Sequence, residues 1–409
     1  MVDPPSPRHW IVVADSPFLP AHGGGEREHL GFVQVAQAEN LIAALVVPAD
    51  RDPAAAGRRD DLRALERLVA PAPVITLPRS RSVRAALHPL RPYVVASRPP
   101  SANLVRQVQD QAPEADAVII YSYKSHEVGR VLAQGLRLPA VLRQHNLEGD
   151  YHLALAAAAK APRSWGIRFE AMRIARDEER LEKAPWLTGI ADISATDAEI
   201  RSKRARVPVK YVPTFALGLH SLERPTRRPA DPPIVVFVGA LDVATNHDAI
   251  RWFATKVWPS VLRVVPKARW QIVGRNPSEF IERLLAATPQ TELHPNVGST
   301  AEFLAAASVA VNPAVSGSGV NIKVVEYLAA GVPVVSTTRG IRGFGLSSGR
   351  DIAVQDDADA FARAVAALLT DSASAAALGA AGQSTALNIL DSHKSLMALA
   401  SLLSPKDPG

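Results

Sequence analysis

Short runs that are apolar at every position, separated by amphipathic stretches, recur along this chain in two successive sets. A strand with one solvated face alternates apolar and polar residues, whereas a strand buried on both faces does not. Such runs, spaced by helical segments, specify parallel sheets covered by helices on both sides. In the first set the strands fall at Trp10–Ala14, Leu41–Val47, Val74–Leu77, Ala117–Tyr121 and Ala140–Arg143, with a helix over Glu26–Asn40. Glu148–Lys183 is a long helical insertion bent near Pro162, and Leu187–Ser194 and Lys210–Pro213 close the first sheet. In the second set the strands are Ile234–Val238, Trp270–Val273, Val309–Asn312, Val332–Thr337 and Ile352–Val354. Its helices lie near Asp248–Val264, Pro277–Ala287, Thr300–Ala307, Val320–Ala330 and Ala358–Leu369. Between the sets, residues 214–233 lack apolar periodicity and carry Pro225, Pro229, Pro232 and Pro233, which predicts a linker. The expectation is an α/β chain: a domain at 1–213, the linker, and a second domain at 234–409 whose last helices pack back on the first. Two such sheets facing across a cleft make a two-substrate site.

Composition narrows the function classes. The 409 residues allow two to three domains, and 47% hydrophobic against 21% charged residues excludes wholesale disorder. Cysteine is absent, which excludes disulfides, zinc–thiolate sites, iron–sulfur clusters and cysteine nucleophiles. Met1-Val2-Asp3-Pro4-Pro5 does not open a signal peptide, and no apolar run reaches the ~18–20 residues that span a bilayer. The expectation is a soluble cytoplasmic protein. Net charge is +6, and from Arg67 to Gln109 no acid occurs while Arg67, Arg79, Arg81, Arg84, Arg91, Arg98 and Arg106 do. That block suits phosphates, an anionic membrane surface or nucleic acid, and equally a solvated arginine-rich face.

The segment Asn312–Thr337, NPAVSGSGVNIKVVEYLAAGVPVVST, carries the most chemistry. A strand ends there, Gly317-Ser318-Gly319 turns, and a helix follows with Lys323 and Glu326. Glycines at such a turn bring backbone amides near a ligand, and the helix N-terminus adds free N–H groups and partial positive charge. Lys323 adds a full charge to the same anion. Glu326, one helical turn later, faces the same way and accepts hydrogen bonds from sugar hydroxyls. Amides at Gly319, Val320, Asn321 and Ile322, a lysine and a carboxylate suit a nucleoside diphosphate.

This segment resembles the donor-binding helix of glycosyltransferase family 4, retaining enzymes of the GT-B fold with two Rossmann-like doubly wound domains. The family's Glu-x7-Glu signature matches at Glu326 and in the following Ala330-Gly331-Val332-Pro333-Val334-Val335; Ser318 stands at its first glutamate. Resemblance extends to Val238-Gly239, the helix Asn246–Pro266, Ile272-Val273-Gly274-Arg275, the loop Pro20–Arg27 and Arg143-Gln144-His145-Asn146-Leu147-Glu148. It implies a donor-binding set of Gly24, Gly25, Arg27, Gly239, Arg275 and Gly319–Ile322, with His145, Lys323 and Glu326 at the chemistry. His145, at the end of a strand, matches the family's active-site histidine. Glu148, Tyr151 and Glu178 or Glu179 are candidates for the acceptor side. Where many members carry an arginine and then a lysine on the diphosphate, this chain has Ala240 and Thr245. A branch with an Asn246-x-Asp248 turn tends to lack both, leaving Lys323 as the main cation.

The resemblance implies transfer of a sugar from a nucleotide-diphosphate-sugar donor with retention of configuration, in cell-surface glycan or glycolipid assembly. It implies no cofactor and no metal. A lipid-linked acceptor at an anionic membrane and a soluble natural-product acceptor both fit. Rival classes are an NAD-dependent oxidoreductase, a nucleic-acid binder using the arginine block, and a GT-B protein that has lost activity. Against the first, Ile322 stands where the third glycine of the dinucleotide fingerprint belongs. Against the second, only Tyr93 interleaves with the arginines, so no nucleic-acid partner is expected. Gly345-Leu346-Ser347-Ser348-Gly349 matches G-x-S-x-G, but no strand leads into it.

Overall fold

The computed structural model describes residues 9–21, 24–49, 56–79, 88, 91–159, 161–215, 226–317 and 320–404. The chain divides into two compact units, Met1–Gly218 with Asp391–Gly409, and Leu219–Leu390.

The first unit holds seven parallel strands: β1 (Trp10–Val13), β2 (Ile42–Ala49), β3 (Val74–Pro78), β4 (Ala117–Ile120), β5 (Ala140–Gln144), β6 (Gly189–Asp192) and β7 (Val209–Tyr211). Their order is β3-β2-β1-β4-β5-β6-β7. Side chains of β1 alternate between two cores: Trp10 and Val12 join Phe32 and Tyr121 on one face, Ile11 and Val13 join Leu104 and Leu132 on the other. Both faces are buried, which is why the strand sequence is apolar throughout.

The end of the chain lies with the first unit. Helix Ser392–Ala400 belongs to the first unit, where Leu396, Leu399, Leu402 and Leu403 enter the core beside Trp10 and Val212. Gly189 lets this segment approach, since a Cβ there would lie 2.8 Å from Leu402. Lys210 Nζ donates to Ser401 Oγ at 2.7 Å.

The second unit has six parallel strands: β8 (Ile234–Val238), β9 (Arg269–Gly274), β10 (Thr291–Pro295), β11 (Val309–Asn312), β12 (Val334–Ser336) and β13 (Ala353–Val354). Their order is β10-β9-β8-β11-β12-β13. Strand β10 escapes the apolar-run pattern because it lies at the sheet edge, half-buried, with the mixed sequence TELHP. The predicted helix Asp248–Val264 is three consecutive pieces, Ala244–Trp252, a π-helical turn at Phe253–Val257, and Trp258–Val264. Pro259 supplies the cause: it has no N–H to give to the preceding turn, and a widened turn makes room for its ring.

In each sheet the strand order reverses direction beside the first strand, between β1 and β4 and between β8 and β11. Open α/β sheets bind ligands beyond the strand C-termini at that switch point. Among the described residues no single helix is long and apolar enough to cross a membrane.

Candidate functional site

In the second unit, β8 runs into Gly239 and β11 into the loop that ends at Gly317, the two segments that flank the switch point. Helix Ile322–Ala329 follows this loop, and Lys323 is its second residue. The ammonium of Lys323 donates to Asn246 Oδ1 at 2.8 Å and sits 4.3 Å from the centre of the Phe237 ring. Asn246 is held in turn, its Nδ2 donating to the Ala240 carbonyl at 2.8 Å. A Cβ on residue 239 would stand 3.0 Å from Lys323 Nζ and 3.1 Å from Asn246 Nδ2, so glycine leaves the space that the amine occupies.

Gly274, at the end of β9, packs still closer: a Cβ there would lie 1.8 Å from the Gly239 carbonyl oxygen. That oxygen is backbone and cannot swing away. Gly274→Ala is therefore expected to destabilise the second unit by about 1–3 kcal/mol or more and to push Gly239 toward Lys323. Thermal unfolding of the variant checks this; an unchanged midpoint would show that the two loops yield freely.

Burial pushes the Lys323 amine down to about 7, with Glu326, half-buried one turn along the helix, opposing the shift. The Tyr327 hydroxyl locks the helix to β8, accepting from Val238 N at 2.7 Å and donating to Val238 O at 3.2 Å. Asn321 precedes the helix and makes no side-chain cap, so the first-turn N–H groups are not consumed by one. Val320, Asn321 and Ile322 line up at this terminus, whereas Gly319 and Ser318 lie outside the described residues. Gly317 adopts φ +95°, a left-handed conformation that suits glycine. Its carbonyl accepts from Arg339 Nη1 at 2.7 Å, and neighbouring Ser316 Oγ donates to Asp248 Oδ2 at 2.8 Å. Arg275 is exposed just past β9, and its carbonyl accepts from Leu241 N at 2.8 Å. Thr245 packs against Gly317; it is its neighbour Asn246 that faces Lys323.

The first unit places a second set of polar groups beyond its own strand ends. Asp15, two residues past β1, accepts from Ser122 Oγ and Lys124 Nζ, each at 3.1 Å, and Arg98 Nε donates to its carbonyl at 2.7 Å. Burial would raise this carboxyl, but Lys124, His29 and Arg98 together hold it far below the usual carboxylate range. Helix Gly24–Ala38 begins in the glycine loop. His22 and Gly23 lie outside the described residues; Gly24 opens the helix, and Gly25 is exposed with open space where a side chain would stand. The Gly25 carbonyl accepts from His29 Nδ1 at 2.8 Å. Arg27 is exposed in the first turn.

His145 directly follows β5. Its ring meets His29 and Tyr121 edge-on, with centroids 5.5 and 5.6 Å away, and its Nε2 is buried with no hydrogen-bond partner. Burial, with His29 beside it, pushes the imidazole down to about 3, against the opposing pull of Glu28. A neutral ring with an unused nitrogen is suited to hydrogen-bonding a hydroxyl.

Behind it lies a pair that sequence reasoning did not single out. Arg143 Nη2 donates to Glu28 Oε1 at 2.6 Å, and both side chains are buried. Arg143 also donates to the carbonyls of Val212 and Pro213, at 2.6 and 2.7 Å, and Tyr121 donates to Glu28 Oε1 at 2.9 Å.

Several expectations shift. Glu178 does not line an open acceptor side: it is buried, accepts from the N–H groups of Glu148 and Gly149 at 3.2 Å, and pairs with Arg201 at 3.1 Å. The arginine block is not a uniformly free surface either. Arg98 is buried against Asp15, and Arg91 pairs with Glu127 at 2.9 Å; Arg81 and Arg84 lie outside the described residues. Among the described residues no group of three His, Asp or Glu side chains stands where it would hold a metal ion.

The whole chain is similar to solved structures at low sequence identity. The Anabaena protein HepE, solved in complex with UDP and glucose, superposes with a TM-score of 0.61 at 14% identity, covering 97% of this chain and 99% of that one. Sucrose-phosphate synthase from Thermosynechococcus elongatus gives 0.63 at 16% identity, covering 97% and 98%. A glycosyltransferase from Rickettsia africae gives 0.64 at 10% identity, covering 97% and 99%. The fold is GT-B. Within it, residues 232–371 match the family model described as Glycosyl transferases group 1. An uncharacterized 44.6 kDa protein in the cps region of Klebsiella pneumoniae is 26% identical over 136 residues; this match covers 32% of the present chain and 35% of that relative's length. In this GT-B chain the residues matched by the family model include Gly239, Asn246, Gly274, Lys323 and Glu326, the cluster just described.

Proposed function

We propose that this protein is a retaining hexosyltransferase that takes its sugar from a nucleoside-diphosphate donor bound by the second unit. The observation that carries the proposal is the half-buried amine of Lys323, set over Gly239 at the switch point beside a helix N-terminus. An amine pushed down by burial gains most from a bound anion, and here no carboxylate bonds to it: its hydrogen-bond acceptor is neutral Asn246. The diphosphate rests on Lys323 and the amides of Gly319, Val320, Asn321 and Ile322. Glu326 takes hydroxyls of ribose or sugar, and Gly239 and Arg275 flank the nucleoside. Charge that develops on the leaving diphosphate is met by fixed donors, so no metal is required. To the first unit's Gly24, Gly25, Arg27 and neutral His145 we assign contacts to substrate. UDP is the preferred nucleotide, supported by the UDP-bound neighbour HepE. The cps-region relative supports a role in polysaccharide assembly; a lipid-linked acceptor at the cytoplasmic side of a membrane completes the reading.

Melting of the purified protein against UDP, GDP, ADP, dTDP and NAD, with and without magnesium, tests the reading. A ligand at a hundredfold excess over its Kd adds about 2.7 kcal/mol of stability. Stabilisation by UDP in the absence of magnesium is expected; stabilisation by NAD alone, or silence throughout, would overturn it.

The same site predicts a pH dependence. Below pH about 7 the free protein carries a protonated Lys323; above it the amine is largely neutral, and binding a diphosphate must take up a proton. UDP affinity is therefore expected to fall by about tenfold per pH unit above neutrality, until the amine's value in the complex is reached. Calorimetry at alkaline pH in buffers of different ionisation enthalpy reads the proton directly. An affinity that is flat across this range, with no proton taken up, would remove Lys323 from the diphosphate.

A further inference from the structure

Helices Glu148–Ala158 and Arg163–Leu181 pack as a hairpin rooted beside His145, its base tied by the bonds from Glu148 N and Gly149 N to Glu178. Gly149 is what lets them touch, since a Cβ there would lie 2.8 Å from Ala175 Cβ. Five of the eleven large hydrophobic side chains exposed among the described residues sit on this hairpin: Leu153, Leu155, Trp165, Phe169 and Met172. Trp165 is 69% exposed, Phe169 60% and Met172 51%. The last three are spaced four and three residues apart, so they form one stripe along one helix face. Ile174, Glu178 and Leu181 are buried on the opposite side, which fixes the stripe as the outward face.

The charges exposed on this helix are mostly basic. Arg163, Arg168, Arg176 and Arg180 are exposed on this helix, and the only fully exposed acid on it is Glu179. The other acids are turned inward or engaged: Glu178 is buried, Glu170 pairs with Arg173 at 2.9 Å, and Asp177 accepts from the Tyr123 hydroxyl at 2.7 Å. Aromatic and thioether groups flanked by arginines make the composition of a helix that lies in a membrane interface, rings among the acyl chains and guanidinium groups among phosphates. A protein partner of ordinary acidity accounts for the arginines but not for an unbroken Trp–Phe–Met stripe; an anionic bilayer accounts for both.

We propose that the hairpin face of Trp165, Phe169 and Met172, with Arg168 and Arg176, docks the first unit onto an anionic lipid bilayer. This surface is distinct from the Arg67–Arg106 block, in which Arg91 and Arg98 are already engaged internally. The inference stands apart from the glycosyl-transfer reading, because docking needs neither donor nor acceptor.

The test is co-sedimentation of the full chain with vesicles of equal parts phosphatidylglycerol and phosphatidylcholine at physiological salt, and with phosphatidylcholine vesicles alone. Binding to the first and much weaker binding to the second is expected. Trp165→Ser/Phe169→Ser/Met172→Ser should lower the partition coefficient by about tenfold or more. Arg168→Gln/Arg176→Gln should lower it by several-fold and flatten its salt dependence. These side chains are exposed, so the melting temperature should hold, and UDP binding serves as an independent control of the second unit. Absence of wild-type binding, or unaltered binding by the triple variant, overturns the proposal. If the triple variant instead converts a dimer into a monomer and leaves vesicle binding untouched, the face joins two copies of the chain and the membrane assignment fails.

Discussion

Arg143→Met is expected to destabilise the first unit by about 3–5 kcal/mol, the usual consequence of stranding one charge of a buried pair. The guanidinium is fully buried, donates to Glu28 and to two backbone carbonyls, and lies 5.2 Å from the centre of the Phe215 ring. It thereby joins β5 to the first helix and to the segment that follows β7. Methionine fills much of the volume but takes the guanidinium from the Glu28 carboxylate, which still accepts from the hydroxyls of Tyr121 and Thr214 and the N–H of Phe215. The loss should be smaller in Arg143→Met/Glu28→Gln, where no charge remains buried. It should also depend on pH with a definite sign. In the wild type, burial would raise Glu28 but Arg143 and the Thr214 hydroxyl hold it below its ordinary value, so its stabilisation is present at neutral pH and disappears only in acid. In the variant the same burial acts unopposed by Arg143, the folded state binds a proton more tightly than the unfolded one, and stability is regained as the solution becomes acidic. Urea titrations at two pH values measure both effects. A variant as stable as the wild type at neutral pH would mean that the pair contributes nothing net.

That pair illustrates what the sequence conceals. Glu28 and Arg143 stand 115 residues apart. In the amino-acid string Glu28 is an ordinary residue of an amphipathic helix, and Arg143 is the one charged residue ending an apolar run. A charge at the end of a fully buried strand was the available signal, since burial there demands a partner. The strands themselves were legible because burial on both faces leaves an apolar run that no loop imitates; β10 was lost because an edge strand need not be apolar. In the second unit the glycine turn, Lys323 and Glu326 were visible as neighbours in sequence. Asn246, 77 residues away, was noted for its turn, and its hold on Lys323 emerged only from the packing of β8 against the helix. In the arginine block a count of charges does not distinguish Arg98, buried on Asp15, from Arg106 in solvent.

Lys323→Ala should separate activity from stability more sharply than any other single change. Removal of one fixed donor from the charge that develops on a leaving group costs about 2.7–4 kcal/mol of transition-state stabilisation, so turnover is expected to fall by about 10²–10³. Stability should move the other way. Burial lowers the amine to about 7 from an ordinary 10.5, so the unfolded chain binds its proton more tightly than the folded one does. Folding at neutral pH and below works against that protonation, and stability of the wild type rises with pH through the window from 7 to 10.5. Alanine has no such conflict, so the variant gains stability relative to the wild type near neutrality, and the advantage shrinks as the solution becomes alkaline. Lys323→Arg keeps a charge yet should not restore turnover, because Gly239, Asn246 and the Phe237 ring enclose a compact ammonium and leave no place for a planar fork. Melting curves and initial rates on the same preparations decide the matter. A variant that is both less stable and nearly as active as the wild type would make Lys323 a structural residue, and the second unit would then need another cation to hold its diphosphate.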